Sequence, residues 1–276
     1  MPAWKLTIEY EGTRFHGWQE QKNARTIAGL IRQASEEILG RPLRLVGSGR
    51  TDAGVHALAQ VAHLRSKTSI GSTELLRRLN SGLPADINIL KVESASESFD
   101  ARRDAILRYY LYQISVRRTA FAKPFVWWVK RDLDLEIMRE ASALLIGQHD
   151  FGAFCDKRAD ERSTVVSVEQ VTIGVAGDLI LLRIGAPHFL WRMVRRLVGM
   201  LVEVGSGAVS MEDFASLLST GDRTPRTGKG EARTLSKTYV AAHTAPSSGL
   251  FLERVIYSKK EAIGPLLPAF PVTTPD

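Results

Sequence analysis

Apolar and polar residues alternate from Trp4 to Tyr10, with Trp4, Leu6, Ile8 and Tyr10 on one side, the period of a strand buried on one face. The period then lengthens. From Thr26 to Leu39 the residues Ile27, Leu30, Ile31, Ala34 and Ile38 recur at helical spacing, Glu36 and Glu37 face away, and Gly40-Arg41-Pro42 supplies a stop. Further strands are predicted over Leu43–Val46, Gln60–Leu64 and Ile87–Val92, with a short helix over Ser72–Leu79 before the last. Strand, helix, strand, strand, helix, strand is a ferredoxin-like order.

The second half repeats this plan at low fidelity. A strand is predicted over Arg108–Val116 and a helix from Asp134 to Ile146, ended by Gly147. Strands over Val165–Val175 and Leu179–Ile184 flank the turn Ala176-Gly177-Asp178, and Pro187 opens a helix running to Gly205. On that helix Leu190, Val194, Leu197, Val198 and Leu201 form an apolar stripe, while Arg192, Arg195 and Arg196 lie mostly off it and can point to solvent or a cleft. The expected fold class is therefore mixed α/β (α+β): two ferredoxin-like, RRM-like domains with mainly antiparallel sheets packed around a central cleft. Their expected limits are 1–104 and 105–258, with no Pro/Gly linker at the boundary. Two stretches look irregular: 221–237, rich in Thr, Arg, Gly and Lys and read as an insertion, and a Pro-rich tail over 259–276.

With 276 residues, 44% hydrophobic and 24% charged, the chain can bury real cores. Its formal charge of +7 favours a polyanionic partner. The excess is shared, +3 in residues 1–105 and +4 in the rest, as expected if both halves line one binding surface. The single cysteine, Cys155, makes no intrachain disulfide and no Cys-x-x-Cys pair exists to hold zinc. The start lacks a basic region followed by an apolar core, and no run approaches the ~20 apolar residues of a membrane span. A cytoplasmic, unanchored protein is expected.

The chemistry concentrates in Gly47-Ser48-Gly49-Arg50-Thr51-Asp52-Ala53-Gly54-Val55-His56. Three glycines describe a tight loop that another chain can approach closely. Asp52 is what the loop presents. A guanidinium beside it favours the ionised carboxylate, available as a nucleophile or base. Other classes of site do poorly. The glycines do not form Gly-x-Gly-x-x-Gly, and no Gly-Lys-Ser/Thr completes a phosphate loop. His56 and His63 lie seven apart without a metal-ligand partner and read as structural or RNA-facing. Ser48, Asp52 and His56 sit within nine residues on one loop and can scarcely be oriented as a hydrolase triad.

The segment Gly49 to His56 resembles the signature of the TruA-type tRNA pseudouridine synthases. Other segments agree in order: Tyr10-Glu11-Gly12 with Phe15-His16-Gly17-Trp18-Gln19; Arg108-Tyr109-Tyr110-Leu111-Tyr112; Phe189-Leu190-Trp191-Arg192-Met193-Val194-Arg195-Arg196-Leu197-Val198-Gly199; and Gly249-Leu250-Phe251-Leu252. The resemblance covers almost the whole chain. It implies isomerisation of uridine at tRNA positions 38, 39 and 40, in the anticodon stem-loop, without a cofactor or metal. It also implies Asp52 as the catalytic acid, Arg195 as its basic partner, Tyr110 as the active-site tyrosine, and a homodimer carrying one tRNA across both subunits. The target base must leave its stack. Arg50 can then fill the vacated space or bind phosphate, and Tyr110 can stack on the uracil and move a proton. Two rivals are a non-catalytic RNA-binding protein using its charge and sheet aromatics, and a small-molecule enzyme with an incidental basic surface.

Overall fold

A computed structural model describes residues 1–156, 163–218 and 235–272. The chain forms two compact units, Met1–Arg108 with Phe251–Ile263, and Tyr109–Leu250 with the residues from Gly264 on.

In the first unit the predicted order is present: β1 (Ala3–Tyr10), α1 (Ile27–Leu39), β2 (Leu43–Gly47), β3 (His56–Ser66), α2 (Ser72–Gly82) and β4 (Ile87–Ser94). β1 pairs antiparallel with β3 at Leu6↔Ala62 and with β4 at Leu6↔Val92, and β2 pairs antiparallel with β3 at Leu45↔Leu64. The sheet order is thus β4-β1-β3-β2. The alternating residues of β1 do what their period requires, since Trp4, Leu6, Ile8 and Tyr10 are all buried. α1 ends where Gly40 turns to φ +73, a conformation that only glycine adopts without strain. Glu36 faces away from the core as read, and Arg32 and Arg41 both close on its carboxylate, leaving it 11% exposed. The chain's last strand, Leu250–Ile256, pairs parallel with the start of β3 at Phe251↔His56 and Leu252↔Ala57. The first unit therefore owes one strand to the far end of the sequence.

The second unit contains β5 (Leu107–Ser115), β6 (Trp127–Trp128), α3 (Leu135–Ala143), β7 (Gly147–Asp150), β8 (Val165–Val168), β9 (Gln170–Ala176), β10 (Leu179–Ala186), α4 (Met193–Gly205), α5 (Met211–Ser216) and α6 (Lys237–Ala242). Its sheet runs β5-β10-β9 with β6 parallel on β5, and β7 and β8 form a separate pair. The strand expected over Val165–Val175 is therefore two strands in two sheets. The alternation slips by one residue at Glu169, with Val166 and Val168 buried on one side of it and Ile173 on the other, and Glu169 N–H donates to Gly185 O at 2.8 Å. α3 starts as read, with Asp134 accepting from the N–H groups of Glu136 and Ile137, but stops at Ala143; Gly147, at φ +102, opens β7.

The helix expected from Pro187 begins only at Met193, because Arg192 takes the left-handed conformation at φ +64 and cannot lie within a helix. Nor does α4 expose a polar face: every residue except Arg195 is buried, Arg196 included. Neighbours press in at its glycines. A Cβ on Gly199 would lie 1.8 Å from His243 O, and one on Gly205 would lie 2.5 Å from Met138 Cγ. The Pro-rich tail is irregular but pinned, with buried Arg183 donating to Gly264 O and Pro265 O and Gln113 Oε1 accepting from Ala269 N–H. The expected insertion lies, up to residue 234, outside the described residues.

Candidate active site

The loop carrying Asp52 is held by backbone hydrogen bonds and by close approaches that missing side chains permit. Thr51 O accepts from Trp18 N–H at 3.1 Å, Phe15 O accepts from Gly54 N–H at 3.3 Å, and Tyr10 and Thr51 share a buried hydroxyl contact of 2.8 Å. All three partners lie in the 10–19 segment. Its glycines explain the closeness. A Cβ on Gly12 would stand 2.0 Å from Val55 O, and one on Gly17, at φ +86, would stand 2.5 Å from Thr51 O. Behind the loop, Gly47 leaves room for the Trp18 indole, 2.6 Å from where its Cβ would be, and Gly54 turns the chain at φ +75. Gly49 needs neither service, since a Cβ there would meet nothing within 4 Å and its φ is not positive. Its carbonyl accepts from Gln60 Nε2 at 3.1 Å, while Ser48 donates to Gln60 Oε1 and Ser48 O accepts from Arg108 at 2.8 Å.

Asp52 stands half-buried on this frame, and its carbonyl accepts from Val55 N–H at 3.2 Å. Arg50 is exposed, its Nε donating to Gln19 Oε1 at 3.1 Å. The hydrolase alternative has no geometry. Ser48 is buried against Gln60, and His56 Nδ1 accepts from Gly12 N–H at 3.0 Å while its ring stacks on Phe251 at 4.8 Å. Glu11 Oε1 lies 3.5 Å from the same Nδ1. His63 is equally structural: buried, with Nδ1 accepting from Ala101 N–H, and with burial holding its pKa below the usual histidine value.

On β5, in the second unit, Tyr110 and Tyr112 share one face and Tyr109 the other, where its ring fills the space that a Cβ on Gly185 would take. Tyr110 is 9% exposed and meets Phe189 edge-on at 5.1 Å. Tyr112 is sealed, donating to Pro246 O at 2.8 Å beside Gly249, where a Cβ would come 2.6 Å from its ring. Burial pushes its phenol well above the ordinary range, offset in part by the charge of Arg195. Arg195 donates from Nε to Ala245 O at 2.7 Å and accepts from Ala245 N–H at 3.1 Å through its own carbonyl. Arg50 and Asp52 thus come from the first unit, and Tyr110 and Arg195 from the second. The clamping roles of Gly12, Gly17, Trp18 and Gln19, and Phe189 beside Tyr110, carry no signal in spacing alone; all five fall inside segments that agree with the family.

A half-buried carboxylate on a loop clamped by the 10–19 segment, in a mixed, mainly antiparallel α/β protein, is the feature around which the site is built. The family model described as tRNA pseudouridine synthase matches residues 6–102 and 141–258, and the chain belongs to that family. The matched segments contain Asp52 and Arg195; Tyr110 lies between them. Relatives named tRNA pseudouridine synthase A from Brucella ovis and from Brucella melitensis are each 38% identical over 263 residues, 94% of this chain and 99% of theirs. Among solved structures, an H/ACA ribonucleoprotein bound to a substrate RNA containing 2′-deoxyuridine aligns with a TM-score of 0.34 and 11% identity over 72% of this chain and 44% of that one, a likeness that bears on neither fold nor site.

Proposed function

We propose that this protein isomerises uridine to pseudouridine at positions 38, 39 and 40 of the tRNA anticodon stem-loop, with Asp52 as the nucleophile or base. The observation that carries the reading is the Asp52 loop, clamped by the 10–19 segment, inside a chain of the tRNA pseudouridine synthase family. The reaction breaks the bond from ribose C1′ to uracil N1, turns the base, and joins C1′ to C5. N1 gains a proton and C5 loses one, so nothing is consumed. A carboxylate can serve by attacking C1′, by taking a ribose proton or by adding to the base, and leaves unchanged each time.

Arg50, exposed at the loop's rim, fills the space vacated by the flipped base or binds a flanking phosphate. Tyr110 lies against the uracil and Arg195 is the basic partner of the catalytic acid, as the resemblance implies. The overall charge of +7 supports a tRNA partner. The same resemblance supports a cytoplasmic homodimer, which sedimentation of the free protein measures. The direct test is to incubate an unmodified tRNA transcript with the protein and map pseudouridine at single-nucleotide resolution. Product at 38 to 40 is expected; product elsewhere only, or none, overturns the reading.

A further inference from the structure

The first turn of α4 holds a buried charge that the proposed chemistry does not use. Arg196 is 2% exposed, its Nη2 donates to Asp156 Oδ1 at 2.7 Å, and its Nε and Nη1 have no acceptor among the described residues. The other oxygen of Asp156 accepts from Arg192 Nη1 at 3.2 Å, so one carboxylate serves two guanidiniums. Arg192 is the residue at φ +64, a conformation that persists in a non-glycine residue only where the surroundings over-determine it. Those surroundings include the Trp191 ring, 4.9 Å from the Arg192 guanidinium, and Asp156 N–H, which donates to Trp191 O at 3.3 Å.

Between these two arginines lies Arg195, the residue of α4 that escapes burial. Its turn is fixed from one side by Ala245 and from the other by Asp156. We propose that Asp156 is a positioning residue: by neutralising Arg192 and Arg196 it sets where α4 begins, and so where Arg195 points. The inference rests on the reading that Arg195 serves the isomerisation. Without the carboxylate, Arg196 is a buried cation with none of its side-chain N–H groups paired among the described residues, a loss that a shift of the turn carrying it relieves. Displacement of a working group by about an ångström lowers a rate by up to ~10²-fold.

The test is single-turnover isomerisation of a tRNA transcript by saturating protein, reading rate constant and amplitude separately. Asp156→Asn is expected to lower the rate constant by about 10- to 100-fold at full amplitude and unchanged tRNA affinity, and Asp156→Glu to recover most of it. Arg195→Ala with Asp156→Asn should be no slower than Arg195→Ala alone, because both act through one group. Arg196→Met, which removes the buried charge and keeps the stem, should fold at least as stably as the native chain and still be slow; this variant decides the matter if Asp156→Asn folds poorly. A lower amplitude and melting temperature with the native rate constant would show a merely structural contact and overturn the proposal. Slow Arg195→Ala with native-like Asp156→Asn and Arg196→Met overturns positioning alone, whereas native-like Arg195→Ala removes the role of Arg195 and this inference with it.

Discussion

At Asp52 the main chain holds the loop, with Thr51 O taking the Trp18 N–H and Asp52 O the Val55 N–H, and neither bond depends on the carboxylate's charge. Asp52→Asn should therefore keep fold and tRNA affinity while abolishing isomerisation, since an amide of the same shape can be neither nucleophile nor base. Circular dichroism and a filter-binding titration check the first part, and pseudouridine mapping the second. Tyr110 keeps its ring edge-on to Phe189 without needing the hydroxyl for that contact. Tyr110→Phe is expected to bind tRNA nearly normally and lose roughly 10² to 10⁴ in single-turnover rate, the range for a displaced general acid or base. A small loss would leave Tyr110 a stacking role only, and a native rate in Tyr110→Ala would remove it from the site. His63 makes a prediction about pH. Its folded pKa lies below the ordinary histidine value because burial disfavours the cation, so between the two values the unfolded chain binds more protons than the native one. Stability is thus fully present above about pH 6.5 and falls as pH drops below it, by at most one proton's worth, ~1.4 kcal/mol per pH unit. Urea midpoints at pH 7.5 and 5.5 measure this, and His63→Asn should flatten the difference.

The two segments that matter as elements are the 10–19 stretch and the Asp52 loop, each shaped by the other. Gly17→Ala puts a Cβ 2.5 Å from Thr51 O at a φ of +86, so the backbone of one segment must shift. The expected result is a folded protein with an isomerisation rate down by as much as ~10²-fold, the effect of misplacing a catalytic group by about an ångström; Gly49→Ala, which meets nothing within 4 Å, should leave stability unchanged and serves as the control. This pairing shows what sequence can carry. β1, α1 and the β9–β10 turn were legible because one strong period or one glycine decided each. Gly54 announced its positive φ, but Gly17 announced only a motif, since its service is to a backbone 34 positions further on. α4 misled for a physical reason as well. Buried but for Arg195, it has no solvated face to mark its limits, and it starts after Arg192, whose guanidinium meets Asp156, an acid 36 residues upstream. The division at Glu169 was visible as a slipped alternation, yet only the pairing of each half with a different strand gives the slip its meaning.

For the whole molecule, the basic excess is divided between the two halves of the sequence, and a tRNA partner gives that division a purpose. Affinity for tRNA should fall steeply with salt as counterions are released, on the order of 10³-fold between about 50 and 200 mM for roughly six phosphate contacts. A flat response in a salt titration would favour a small-molecule substrate.

If Asp52 drives exchange of the N1 bond for a C5 bond in tRNA, that exchange expels the hydrogen on C5. A transcript labelled with tritium at uracil C5 therefore reports the reaction directly, and the measurement is tritium released to water in a single turnover by the native protein and by Asp52→Asn. Release matching the number of target uridines is expected for the native protein, and background for the variant bound to the same tRNA. Release by Asp52→Asn, or none by the native protein on a tRNA it binds, would contradict that role of Asp52.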